Sequence, residues 1–253
     1  MAKEMDVPAK KKTLTAKKVD TGAKAGAGKG RGAGIAPTHV PSTVPAPKAW
    51  DVSKIKHVIV LPDTKLDRVH PDKYGAAQFN PSTDGDARFS PIKDSAGNII
   101  PTIYAAETFE AALMETIFHD VPNKPGKKIV RNAKLADKHH ASLKTTEPLM
   151  VVDATSVGLK NTNATKAEVI ESPPDKYPHS RRFAEDIHAQ YPDMQGIRWV
   201  SKQDDRAMAY VFFGDRIKAG TFMPIIEKQP IMEEPDLAAV LDLADQIDVL
   251  IAD

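Results

Sequence analysis

The sequence predicts an α+β protein, with a twisted, mostly antiparallel sheet as its core and helices packed around it. Three observations predict this class. PLMVVDAT (148–155), GIRWVS (196–201) and AMAYVFFG (207–214) are short apolar runs rich in β-branched and aromatic residues, the composition of strands. Other stretches carry apolar residues at steps of three and four, the period of a helix. The two patterns mix without the strict strand–helix alternation of a doubly wound parallel sheet.

Each element follows in order. HVIVL (57–61) is the first strand-like run, and KLDRVHP follows it. A loop rich in Pro, Asn and Gly spans about 71–91. NIIPTIYAA (98–106) reads as a strand, and Pro101, which has no N–H to give a ladder, belongs near an edge or at a strand start. Thr108 is a candidate N-cap for a helix running to about His119, with Phe109, Ala112, Leu113 and Ile117 as its stripe; VPNKPG ends it. KKIVRNAKLAD is a strand or the start of a connection, and NATKAEVIE fits neither template clearly. A further helix begins near Ser180, with Phe183, Ile187 and Tyr191 on one face. GIRWVS and AMAYVFFG are strands separated by KQDDR. Residues 231–253 read as an acidic amphipathic C-terminal helix with the stripe Leu237, Val240, Leu241, Ala244, Ile247 and Ile251. The acids of its DQIDVL stretch form a solvated face, and its apolar stripe docks on its own domain.

Composition bounds the function. A chain of 253 residues holds one large domain or two small ones. It has no cysteine, so disulfides, thiolate metal sites and a Cys nucleophile are excluded. No apolar run reaches the roughly 18–20 residues of a membrane helix. The lysine-rich start lacks the apolar core of a secretory signal. These features describe a soluble, cytoplasmic protein. Residues 1–50 hold ten Lys/Arg against three acids, so they carry +7, and the remainder carries −6 for a chain net of +1. The charge expected of a nucleic-acid-binding fold is therefore absent from the body, and only the tail could touch polyanions, weakly. Residues 1–48 are read as a disordered basic tail and linker, because Lys, Ala, Gly, Thr and Pro bury too little to offset the cost of ordering. GAGKGRG within it lacks the preceding strand and the GKS/GKT ending of a phosphate loop. Residues 49–230 are the folded domain.

One constellation stands out. Arg68 and Arg88 suit phosphate, because a guanidinium donates two parallel hydrogen bonds. Tyr104 offers a ring face with a polar tip, and Glu115 lies among small residues on the first helix. His119, His139 and His140 show no pairing with a carboxylate in the zinc-protease pattern, so no metal site is expected. His70 lies close enough to border a pocket, although an edge or surface histidine is the simpler reading.

LDRVHPDKYGAAQFNP, GDARFSP, IPTIYAAETFEAALMETIFHDVP and, far downstream, GIRWVS together resemble the RES-domain family, named for its arginine, glutamate and serine. The resemblance spans about residues 60–220. Arg68 matches the arginine after the first strand, and Arg88 the arginine of the G-x-x-R-F-x-P loop. Tyr104 matches the tyrosine that opens Y-x-A-E, Glu115 the helical glutamate, and Ser201 the serine ending G-I-x-W-x-S. The resemblance implies an ADP-ribosyltransferase-like fold with NAD⁺ as substrate and no metal. The nicotinamide–ribose bond would be cleaved by hydrolysis or phosphorolysis, or ADP-ribose passed to a protein acceptor. It implies the toxin half of a pair and a separate Xre-like antitoxin. Glu115, Arg88 and Tyr104 are then the expected catalytic residues. Arg68 and Arg88 would clamp the pyrophosphate, Tyr104 would stack on nicotinamide or ribose, and Ser201 would hydrogen-bond the ribose or phosphate side. An inactive binding module is disfavoured because Arg88, Tyr104, Glu115 and Ser201 are all present.

Overall fold

In the computed structural model, residues 50–122 and 124–253 are described. The basic tail, the proline-rich stretch before Trp50 and GAGKGRG lie outside them. Trp50 is buried and meets the Phe183 ring edge-on at 5.7 Å.

In chain order the elements are β1 (His57–Val60), β2 (Lys65–Pro71), β3 (Ile92–Lys93), β4 (Ile99–Ile100) and β5 (Thr102–Ala106). Next come α1 (Phe109–Thr116), β6 (Lys128–Arg131), β7 (Lys138–Thr145), β8 (Leu149–Asp153) and two short helices, α2 (Ser156–Leu159) and α3 (Lys166–Val169). The remainder is α4 (Tyr177–Gln190), β9 (Gly196–Val200), β10 (Met208–Phe213), β11 (Phe222–Pro230), α5 (Asp236–Gln246) and β12 (Val249–Ala252).

Eight strands form one sheet in the order β1-β8-β9-β10-β5-β2-β7-β11. Every neighbouring pair in it is antiparallel except β8 and β9. This is the expected α+β architecture. The continuous apolar run of β10 follows from its central position, where both faces are covered. Val211 and Phe213 enter the core beneath α4, while Tyr210 and Phe212 enter the core on the other side. The same alternation on β5 sends Ile103 and Ala105 one way and Tyr104 the other. Gly196 opens β9 because nothing larger fits: a Cβ there would lie 2.3 Å from the Val211 carbonyl oxygen.

Several expectations change. Pro101 breaks NIIPTIYAA into β4 and β5; it stands at the start of β5, as one of its two expected placements, and β5 is an interior strand. The Thr108 side chain caps α1 by accepting the Ala111 N–H at 3.1 Å, as expected, but the helix ends at Thr116, short of His119. KKIVRNAKLAD supplies β6, and NATKAEVIE folds as α3 behind a Thr165–Glu168 capping box. The strands β2, β7 and β11 were not legible as strands, yet they form one whole side of the sheet.

The C-terminal segment 231–253 is corrected from a single helix. α5 stops at Gln246, Asp248 takes a positive φ of 54°, and Val249–Ala252 returns as β12, parallel to β6. The core face of α5 is Val240, Leu243 and Ala244, whereas Leu241 is exposed. The helix docks on its own domain, packing against α1. Asp245 and Asp248 of DQIDVL are exposed, as expected, whereas Asp236 is buried and accepts a hydrogen bond from His140 Nδ1 at 2.9 Å. Among the described residues no helix is long and apolar enough to cross a membrane.

Candidate functional site

A cavity of about 330 Å³ opens where β2, β5, α1 and the loop before β3 meet. Arg68, His70, Arg88, Tyr104 and Glu115 all line it. Its size falls at the low end of small-molecule sites, roughly 300–1,000 Å³.

β2 supplies the first cation. Arg68 and His70 are two residues apart, so both side chains leave the same face of the strand. Arg68 is buried, and its Nη1 donates to the carbonyls of Ala76 at 2.8 Å and Gln78 at 3.1 Å, which folds the following loop back over the strand. Its Nε has no partner. Burial lowers the guanidinium to about 10, so it remains a cation at neutral pH. His70 is buried too, and not a surface residue.

The loop before β3 supplies the second cation, and α4 fixes that loop. Ser180 Oγ donates to the Arg88 carbonyl at 2.7 Å, and Arg181 pairs with Asp86 at 2.7 Å. The Phe89 N–H donates to the Tyr104 hydroxyl at 2.8 Å. The Arg88 guanidinium then lies over the Tyr177 ring, 5.2 Å from its centroid, with Nη1 buried and unpartnered. Tyr104 is an anchor for this loop as well as a wall of the cavity. Burial raises its phenol well above the ordinary value, so it stays neutral. Trp199 meets it edge-on at 6.2 Å and meets Phe89 at 5.1 Å.

α1 supplies the acid. Its apolar residues Phe109, Leu113 and Met114 are buried, and Glu115 is left half-buried on the cavity side. Ser201 Oγ donates to Glu115 Oε1 at 2.7 Å, and the Lys202 N–H donates to the same oxygen at 3.0 Å. Both bonds fall on Oε1, which leaves Oε2 for a ligand.

Arg68, Arg88, Tyr104 and Glu115, expected from three separated stretches, therefore share one cavity wall. Ser201 differs from expectation: it is fully buried behind Glu115, not on the wall, and its Oγ also accepts the Asp204 N–H at 3.2 Å. Sequence reasoning missed Ser180 and Tyr177, because the helix was started at Ser180 instead of Tyr177, which hid the first turn that faces the arginine loop. It also passed over Trp199, although period-two alternation from Ser201 places both on one face. Among the described residues no cluster of three or more His, Asp or Glu is arranged to hold a metal ion.

The cavity has the chemistry for an anionic ligand with hydroxyl groups. Two buried guanidiniums retain N–H groups without acceptors, and a carboxylate and flat aromatic side chains line the same space.

Comparison with known proteins agrees with the fold and places the chain. A chain from the crystal structure of the M. tuberculosis MbcT-MbcA toxin-antitoxin complex superposes with a TM-score of 0.50 at 14% identity, over 74% of this chain and 92% of that one. No curated protein matches. The RES domain model matches residues 65–232, well over half of the chain and every residue that builds the cavity's cationic and acidic walls. The chain belongs to the RES-domain family.

Proposed function

We propose that this protein consumes NAD⁺ by breaking the nicotinamide–ribose bond, and that it is the toxin of a toxin–antitoxin pair acting in the cytoplasm. The observation that carries this reading is the pairing of Arg68 and Arg88, both buried with an unpartnered N–H, with Glu115 in one cavity. A buried donor without an acceptor costs about 1–3 kcal/mol. A pyrophosphate bridging the two guanidiniums would recover that cost through charge-assisted hydrogen bonds.

The reaction follows from where charge appears. As the C1′–N bond breaks, its electron pair goes to the nicotinamide nitrogen and the ring leaves uncharged. Positive charge builds on C1′ and the ribose ring oxygen. A carboxylate fixed nearby stabilises that charge without reorganising. Ser201 and the Lys202 N–H hold Glu115 by Oε1, so Oε2 is free to bond a ribose hydroxyl and face the cation. Tyr104 stacks on the nicotinamide side while its hydroxyl keeps the Arg88 loop in place. C1′ then takes an oxygen from water, from phosphate or from a protein side chain; water and a side-chain acceptor each release one proton. Family membership and the fold shared with a chain of a toxin–antitoxin complex support a separate antitoxin, Xre-like, that covers the cavity.

Incubating the purified protein with NAD⁺ tests this. Release of nicotinamide with free ADP-ribose indicates hydrolysis, a phosphate-dependent sugar phosphate indicates phosphorolysis, and label on protein indicates transfer. Glu115→Gln is expected to lower turnover by about 10²–10³-fold, the range for losing one electrostatic stabiliser, while melting near the parent temperature. No nicotinamide release under any of these conditions would refute the reading.

A further inference from the structure

The cavity contains an orphan that the proposed reaction does not use. His70 Nδ1 lies 3.0 Å from the Pro71 carbonyl oxygen. A carbonyl only accepts, so Nδ1 carries the hydrogen and Nε2 carries the lone pair. Nε2 is buried with no hydrogen-bond partner, in a residue that is 1% exposed and lines the cavity. The ring is held in place by its surroundings: His139 sits opposite it on β7 and stacks on it at 6.3 Å, and Arg68 precedes it on the same face of β2. Burial and then the Arg68 charge push the imidazole down to about 4, with His139 and Lys228 of β11 adding to the effect and the Pro71 carbonyl opposing it. The ring is therefore uncharged at neutral pH, an acceptor in the lining that also holds the Arg68 and Arg88 guanidiniums.

That contrast has a chemical meaning. A pocket for a bare anion needs donors only, and Arg68 and Arg88 already provide them. A buried acceptor next to them is wasted on a phosphate oxygen and matched by an O–H or N–H. We propose that His70 is a specificity-determining residue of this site: its Nε2 accepts a hydrogen bond from a hydroxyl or amino donor that the ligand carries beside its anionic group. The inference rests on the dinucleotide reading above. It explains how the site tells a nucleotide from inorganic phosphates that present the same charge.

Titration calorimetry with two probes tests it. The first is carba-NAD⁺, whose nicotinamide-side carbocycle cannot be cleaved and which keeps its hydroxyl and amide donors. The second is inorganic pyrophosphate, which has the anion without those donors. His70→Leu is expected to weaken carba-NAD⁺ by about tenfold or more, the size of one buried hydrogen bond, and to leave pyrophosphate within about twofold. His70→Gln, which can place an amide oxygen near the Nε2 position, is expected to retain most of the carba-NAD⁺ affinity. Circular dichroism and melting temperature establish that each variant is folded. Equal weakening of both probes by His70→Leu would mean that the ring only props Arg68, and the inference fails. Unchanged carba-NAD⁺ binding by His70→Leu also defeats it. If the parent protein itself does not bind carba-NAD⁺, the dinucleotide reading has failed and takes this inference with it.

Discussion

Two serines at the site act through other residues, and they separate in a testable way. Ser201 is sealed behind Glu115 and reaches the cavity only through that carboxylate. Ser180 reaches it through the Arg88 carbonyl, to which its Oγ donates. Ser201→Ala should therefore lower kcat by about tenfold, the scale of one hydrogen bond to a charged group, with KM nearly unchanged. Ser180→Ala should raise KM several-fold, because the loop that aims the second guanidinium loses its tether, with a smaller effect on kcat. Steady-state kinetics on NAD⁺ checks both; a KM effect from Ser201→Ala would put that hydroxyl in contact with substrate. At this scale Arg68, Arg88, Tyr104 and Glu115 were legible in the sequence through the motifs it shares with the RES-domain family, since residue type alone does not separate a ligand-binding arginine or tyrosine from a structural one. The role of Ser201 was not, since a hydroxyl can serve a ligand or a neighbour equally well and only proximity decides. His70 was likewise hidden, because an imidazole's burial depends on strands far from it in the chain.

The elements that escaped the sequence reading share a cause. β2 and β7 run side by side, with Asp67, Arg68, His70, His140 and Ser142 all buried. All five are polar or charged, so burial on β2 and β7 leaves no apolar trace in the sequence. β11 is an edge strand with Met223, Ile225 and Glu227 exposed, and Pro224 and Pro230 within it, so the alternation that marks a half-buried strand is missing. The strongest link across these elements is His140 of β7. Its Nε2 lies 3.0 Å from Asp67 of β2, its Nδ1 lies 2.9 Å from Asp236 of α5, and the Phe109 ring of α1 stacks on it at 4.0 Å. One imidazole thus ties the C-terminal helix to the strand that carries Arg68 and to the helix that carries Glu115. Removing one partner of a buried hydrogen bond strands the other at a cost of about 1–3 kcal/mol. Asp236→Ala should therefore lower the unfolding free energy by roughly 2 kcal/mol in urea titrations. A change below about 0.5 kcal/mol, the size of an ordinary surface substitution, would mean that α5 is held by its apolar face alone.

For the molecule as a whole, this link sets part of the response to acid. Burial raises the Asp67 carboxyl, but hydrogen bonds from His140 and Lys65 outweigh it, and the net direction is downward. A carboxyl lowered in the folded state contributes its full stability above its unfolded value, about 3.9, and loses it as the pH falls through the folded value. Stability of the parent should therefore drop between about pH 4 and the acid limit more steeply than that of Asp67→Asn. Parallel slopes in the two proteins would remove Asp67 from the account. The sequence by itself determined the α+β class, the strands at its apolar centre, the capped first helix and the residue types of the site, because these rest on local periodicity and side-chain chemistry. Only the tertiary structure decided that β2, β7 and β11 complete the sheet, that the last residues return as a strand beside β6, that Ser201 stands behind Glu115, and that His70 is buried in the cavity lining with Nε2 unpartnered. Those outcomes depend on which polar groups meet across the sheet, and such meetings are set by long-range register that no local stretch of sequence encodes.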